Sequence, residues 1–247
     1  MLFVGSCFAD NMGRKFAEDK FRAVVNPFGV MYNPASILHT VERYEGEAPR
    51  VAVLTLGTNH IYILRETGEI VDNCNKRPQR LFEERSLTAD ECAGYLMRAV
   101  RHLQSRCAEV KVIVTVSPIR YAKYGYHGSM LSKATLLLAA DMLEKQMPDV
   151  VTYFPAYEIV NDELRDYRFY RPDMLHPTDQ TVDYIRERFD EKFFSDDTRR
   201  FLSEWQPIKA ALNHRPFNPE SEEHKAFMRQ TQEKLHALAR KWEGMEI

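Results

Sequence analysis

Met1-Leu2-Phe3-Val4-Gly5-Ser6-Cys7-Phe8-Ala9 opens the chain. An apolar run ending at glycine is followed by Phe8, Met12 and Phe16 at i, i+4, i+8, which reads as a buried strand turning directly into a helix. The same unit recurs downstream. Val51 to Leu56 and Val110 to Val116 are uninterrupted apolar runs of the kind covered on both faces, and Phe21 to Val25 and Val150 to Phe154 complete a set of five. Helical stretches separate them: Phe8 to Lys20, Asn33-Pro34 to Tyr44, the capping box at Thr88 leading to Cys107, and Ser132 to Met147. Alternation of this kind predicts an α/β fold: a three-layer α/β/α sandwich on a flavodoxin-like five-stranded parallel sheet, strand order 2-1-3-4-5. Ile61 to Leu64 and Glu69 to Val71, joined through Thr67-Gly68, read as an inserted hairpin.

A helix is expected from Thr178 to about Phe194, and two more from Asp197 to Leu212 and Glu220 to Trp242. The expected organisation is therefore a domain over residues 1–195 and a helical C-terminal extension over 196–247, without internal repeats. That extension is a candidate surface for a homo-oligomer, through Trp205, Phe217, Phe227 and Trp242.

Composition narrows the function classes. The 247 residues carry 34 Lys+Arg against 36 Asp+Glu, a net charge of -2, so no general field draws in polyanions and a nucleic-acid partner is not expected. No run approaches the ~20 apolar residues of a membrane helix, so no membrane partner is expected either. The four cysteines, Cys7, Cys74, Cys92 and Cys107, form no C-x-x-C pair and have no histidine at ligand spacing, which predicts free thiols, no zinc site and a cytoplasmic setting, and the chemistry read below needs no cofactor or metal. The apolar run at the first residue leaves room for a targeting segment ahead of it.

Chemistry is sought at the C-terminal ends of the strands, where open α/β sheets place their ligand sites. Ser6 falls on the first strand-to-helix turn, either as a nucleophile or as the cap of the helix. Gly29, Asn59 and the pair Asp173 and His176 fall at later ends. In D-x-x-H the carboxylate can hold one imidazole nitrogen and leave the other for a nucleophile, or the pair can simply fix the turn before a helix. Cys7 competes with Ser6 for one base; neighbouring side chains diverge at such a turn, and the reading gives the role to Ser6 and points Cys7 toward packing. Arg120 follows the fourth strand as a binder of a substrate carboxylate or phosphate, with Tyr121, Tyr124 and Tyr126 as pocket walls.

Taken together and in chain order, these residues resemble the SGNH/GDSL-type hydrolases, and Gly5-Ser6-Cys7-Phe8-Ala9 resembles the name-giving motif of the GSCFA family. The resemblance extends over Asn26-Pro27-Phe28-Gly29, Asn33-Pro34, Leu56-Gly57-Thr58, Asn73-Cys74, Ser117-Pro118-Ile119-Arg120, Ser132-Lys133 and Asp162 to Tyr170 leading into Asp173 to Pro177. It implies Ser6 as nucleophile, His176 as base, Asp173 as its orienting acid, and an oxyanion hole from the Ser6 and Gly29 N–H groups and the Asn59 amide. Two departures stand out. Serine directly follows Gly5 where the superfamily usually has aspartate, and His60 follows Asn59, which leaves Asn73 as a rival donor. The implied activity is hydrolysis of an O-acyl ester of a carbohydrate or small acylated metabolite, with an acyltransferase or a non-catalytic glycan or acyl-ligand binding module as alternatives. Asn73, Arg120 and Tyr124 are the expected substrate contacts.

Overall fold

The computed structural model describes residues 1–242. Its elements are β1 (Leu2–Gly5), α1 (Cys7–Glu18), β2 (Val24–Val25), α2 (Pro34–Arg43), β3 (Val51–Leu56), β4 (His60–Leu64), β5 (Ile70–Val71), β6 (Phe82–Ser86), α3 (Ala89–Arg106), β7 (Lys111–Val116), α4 (Gly125–Gln146), β8 (Val151–Tyr153), α5 (Ala156–Glu158), α6 (Asp179–Phe193), α7 (Asp196–Leu212) and α8 (Glu222–Lys241). A five-stranded parallel sheet runs in the order β2-β1-β3-β7-β8. Leaving aside the inserted strands, this is the expected 2-1-3-4-5 order of an α/β/α sandwich.

Burial follows from the runs that predicted the strands. β1 and nearly all of β3 and β7 are buried, with Leu2, Val4, Leu54, Leu56, Val112 and Val114 in one core with Ile37, Leu38 and Val41 of α2, Leu96 and Val100 of α3, and Leu136 and Leu143 of α4. On the other face, Gly13 of α1 lies against Phe3 and Val25. α3 starts at the expected capping box, with Thr88 and Glu91 exchanging side-chain-to-backbone bonds, and Asn33 caps α2 through the Ser36 N–H.

Two local readings needed correction. The inserted hairpin is a three-stranded antiparallel sheet in the order β5-β4-β6, because Phe82–Ser86, a charged stretch with little apolar alternation, pairs along the whole of β4. α4 begins at Gly125 rather than Ser132, so its first turn carries Tyr126 and His127, expected in a loop. Beyond β8, α5 continues into a π-helical turn, Ile159–Leu164, which ends on Arg165 in the left-handed region.

Two compact units result. The first comprises residues 1–14 and 23–185 and holds the sheet; the second joins Lys15–Arg22 to the chain from Arg186 onward. Inside the second, α7 and α8 share a small core of Trp205, Ile208, Leu235 and Leu238. Buried Asp19 there receives Arg186 at 3.2 Å, Lys209 at 2.9 Å and Gln206 at 3.0 Å.

Candidate active site

The turn after β1 is fixed from three sides. Gly5 adopts φ +141, and a Cβ there would stand 2.1 Å from the Thr55 carbonyl oxygen of the neighbouring strand, so both conformation and space demand glycine. The Gly5 N–H donates to Asn26 Oδ1 at 2.8 Å, and its carbonyl accepts from the Met31 N–H at 2.8 Å. Asn26 in turn donates through Nδ2 to Asp10 at 2.6 Å. One residue on, the Ser6 N–H donates to both Thr55 Oγ1 (3.0 Å) and the Thr55 carbonyl (3.1 Å).

Ser6 itself has no exposed surface. Its Oγ lies 3.2 Å from Thr55 Oγ1 and accepts the Phe8 N–H at 3.2 Å, so in this structure the hydroxyl caps α1. The residue expected to pack away, Cys7, is instead part-exposed and hydrogen-bonded with the Tyr32 hydroxyl. Burial raises its thiol pKa, as does Asp10, against the opposing hydrogen bond from Tyr32.

Asp173 and His176 meet as the sequence predicts. Asp173 Oδ2 lies 2.6 Å from His176 Nδ1, while Oδ1 accepts the Leu175 and His176 N–H groups at 2.8 and 3.0 Å. Those two backbone donors, then the imidazole, bring the Asp173 carboxyl down to about 2. An ionised Asp173 on Nδ1 leaves Nε2 as the basic nitrogen. The loop is closed at its base by a Tyr170–Pro177 bridge and by the Arg171 N–H donating to the His176 carbonyl at 2.7 Å. The Arg120 N–H pins it to the end of β7 through the Leu175 carbonyl at 3.1 Å. Among the described residues no hydrogen bond joins His176 to Ser6.

Each of the three expected oxyanion donors has a partner within the protein. Besides Ser6, the Gly29 N–H donates to the Asn26 carbonyl at 2.8 Å, closing the Asn26–Gly29 turn at φ +91. Asn59 donates Nδ2 to the Leu87 carbonyl at 2.7 Å and its N–H to Ser132 Oγ at 3.0 Å, and leaves its buried Oδ1 unpaired. All three donors hold the loops that carry them.

Two cavities open on this rim, with Tyr121 in the wall of both. The first, about 650 Å³, is walled by the small antiparallel sheet and includes Tyr32, Thr58, Asn73 and Tyr124. Tyr124 stacks on His60 at 3.7 Å and donates to Glu84 at 2.8 Å. Burial opposes ionisation of Glu84, but the hydrogen bonds of Lys123 and Tyr124 bring its pKa down overall. The second, about 530 Å³, includes Arg120, Lys133, Met174 and Leu175, the last two inside the D-x-x-H loop. Gly57 makes room for their shared wall: a Cβ there would lie 2.3 Å from Tyr121 Oη. The expected substrate contacts thus divide, Asn73 and Tyr124 on the first cavity and Arg120 on the second.

Lys133 was named only as part of a motif, and its position is the main surprise. It is buried, donating Nζ at 2.7 Å to the Gly57 carbonyl after β3 and to the Ser117 carbonyl after β7. The signal lay in the helical period, since Lys133 shares the buried stripe of Leu136, Ala140 and Leu143.

The GSCFA family model matches residues 1–51 and 46–189, and the model of the GSCFA domain protein C-terminal domain matches 205–246. The chain belongs to the GSCFA family. No curated protein sequence matches it. Among solved structures, a chain from Streptococcus pneumonia described provisionally as a platelet activating factor superposes with a TM-score of 0.50 at 14% identity, covering 76% of this chain and 82% of that one. A serine-to-alanine variant of an acetyl esterase with an acetate ion gives 0.48 at 12%, covering 83% and 98%; a carbohydrate esterase family 3 structure from Talaromyces cellulolyticus gives 0.46 at 12%, covering 78% and 94%. The Streptococcus likeness speaks for the α/β fold that this GSCFA chain adopts. No helix among the described residues is long and apolar enough to cross a membrane.

Proposed function

We propose that this GSCFA protein is a hydrolase of O-acyl esters of a carbohydrate or small metabolite, with His176 as general base oriented by Asp173. The observation that carries the reading is the 2.6 Å Asp173–His176 contact, with the second carboxylate oxygen tied to the loop backbone, which fixes both tautomer and ring orientation. In the first form Ser6 attacks the ester carbonyl, His176 takes its proton and returns it to the departing alcohol, and a water deprotonated by His176 then releases the acid. The positive end of the α1 dipole favours the developing oxyanion, and the Phe8 N–H, which Ser6 Oγ caps at rest, becomes available as a donor when that cap is released. Ser6 must first rotate about χ1 away from the Phe8 N–H, exchanging its cap for the base.

A second form keeps the base and moves the acyl group to Cys7. The observation in its favour is that Ser6 has no exposed surface, whereas Cys7 is a part-exposed residue whose thiol is hydrogen-bonded with Tyr32, a residue of the first cavity's wall. An acyltransferase would use the same groups, with an alcohol in place of water.

Covalent labelling decides between them. A fluorophosphonate mass on the peptide bearing Ser6, lost in His176→Ala, selects the first form; labelling by a thiol-directed acyl probe at Cys7, lost in the same variant, selects the second. Folded protein that takes neither label and turns over no acetylated sugar or 4-nitrophenyl ester refutes both.

A further inference from the structure

The cavity beside the D-x-x-H loop has an unusual charge pattern. Its floor holds Lys133, 2% exposed, whose ammonium has three N–H groups and donates two of them to carbonyls. No carboxylate pairs with it among the described residues. The ring faces of Tyr121 and Tyr157, 5.1 and 5.8 Å from Nζ, supply the remaining stabilisation. On the opposite side, the Arg120 guanidinium lies 4.1 Å over the Tyr170 ring and 4.9 Å over Tyr167, again without a described carboxylate partner. The first turn of α4 contributes Gly125 and Tyr126 to the wall, and no side chain caps that end of a 22-residue helix. None of the described residues lining the cavity is Asp or Glu.

Three sources of positive potential therefore meet at a space of about 530 Å³ whose other walls are mostly tyrosine, methionine and leucine, with Ser129 and Asn161 as neutral polar groups. Burial without a counter-charge brings the Lys133 pKa down to about 7, and an anion in the cavity reverses that penalty. Phosphate would fit the charge, but the apolar walls suit an anion with a hydrophobic body.

We propose that this cavity is a carboxylate subsite: Lys133, Arg120 and the α4 N-terminus bind an organic carboxylate with an apolar or aromatic body. Resting on the esterase reading, and because Met174 and Leu175 join the cavity to the His176 loop, the substrate is an ester that itself carries a carboxylate.

Calorimetry on the full chain tests the subsite without requiring catalysis. Phenylacetate should bind and the neutral phenylacetamide should bind at least ~10-fold more weakly, and Lys133→Met and Arg120→Gln should each weaken phenylacetate by ~10-fold or more. Equal binding of acid and amide, no binding of the acid, or affinity unchanged in the variants overturns the subsite. Lys133→Met also removes two bonds between strand ends, so if it fails to fold, Arg120→Gln alone decides. Turnover then tests the substrate class: 4-nitrophenyl hemisuccinate preferred over 4-nitrophenyl acetate places the carboxylate on the acyl half, acetylated glucuronate preferred over acetylated glucose places it on the alcohol half, and neither preference refutes a carboxylated ester. Carboxylate binding in a protein that takes no covalent label would retain the subsite and remove the esterase reading.

Discussion

The Gly5–Cys7 turn and the Asp173–His176 loop face the same rim but are held in opposite ways. The turn is buried and held by partners far off in sequence: Asn26 on Gly5, and Thr55 on the Ser6 N–H and hydroxyl. The loop is exposed and largely self-sufficient, its carboxylate bonded within three residues. A turn tied to distant partners suits a group whose backbone must not move relative to the sheet. A locally closed loop can hold a base ready while remaining open to substrate. Changes in the loop should therefore fall on turnover and changes in the turn on stability.

The largest effect expected is on catalysis. Asp173→Asn removes the charge on His176 Nδ1 and can present a donor to it, favouring the wrong tautomer, and should lower kcat by roughly 10⁴-fold with little change in thermal unfolding. Ester turnover followed together with a melting curve checks this; a large loss of stability would show the loop to be a structural tie. On the turn the pattern should reverse. Gly5→Ala meets both a φ of +141 and an oxygen at 2.1 Å, and should cost about 3–4 kcal/mol in denaturant unfolding.

A cut after Ser195 probes the division proposed between residues 1–195 and 196–247. It removes Lys209 and Gln206 from buried Asp19 and leaves Arg186, a loss of about 1–3 kcal/mol. Loss of cooperative unfolding in the shortened chain would make the extension part of one fold. A smaller change, Thr55→Val, takes away one of the two acceptors of the Ser6 N–H and the neighbour of its hydroxyl, for about 1 kcal/mol.

How far each region was legible in the sequence follows from the same contrast. D-x-x-H could be read because its geometry is set by spacing, and the strands because burial on both faces leaves continuous apolar runs. The partner of Ser6 could not, since Thr55 is an ordinary residue of a buried strand until β1 and β3 are placed side by side. That same contact ties up the donor expected for the oxyanion hole. Asn59 escaped for a similar reason: its amide reaches Leu87, across the inserted sheet whose third strand was too charged to recognise. Lys133 was visible as a cation on an apolar stripe, but its acceptors, Gly57 and Ser117, belong to two different strand ends.

The smallest effect separates the two regions by what titrates in them. Asp173 has its carboxyl pKa lowered from an ordinary 3.8 to about 2, because the N–H groups of His176 and Leu175 and the imidazole all favour its charged form. A depressed pKa means that the carboxylate's contribution is fully present above 3.8 and is lost as pH falls toward 2. The Gly5 and Ser6 amides are held by a hydroxyl, a backbone carbonyl and an asparagine, and the hydrogen bond of Asp10 to that asparagine is one step removed from them. Amide hydrogen exchange between pH 5 and pH 2 should therefore show Leu175 and His176 losing protection, after correction for intrinsic rates, while Gly5 and Ser6 keep theirs. Because the loop is exposed, this opening should be local and leave the global melting transition nearly unchanged. Equal loss of protection at both places would mean that acid acts on the whole unit, and the contrast between a locally held loop and a remotely held turn would fall.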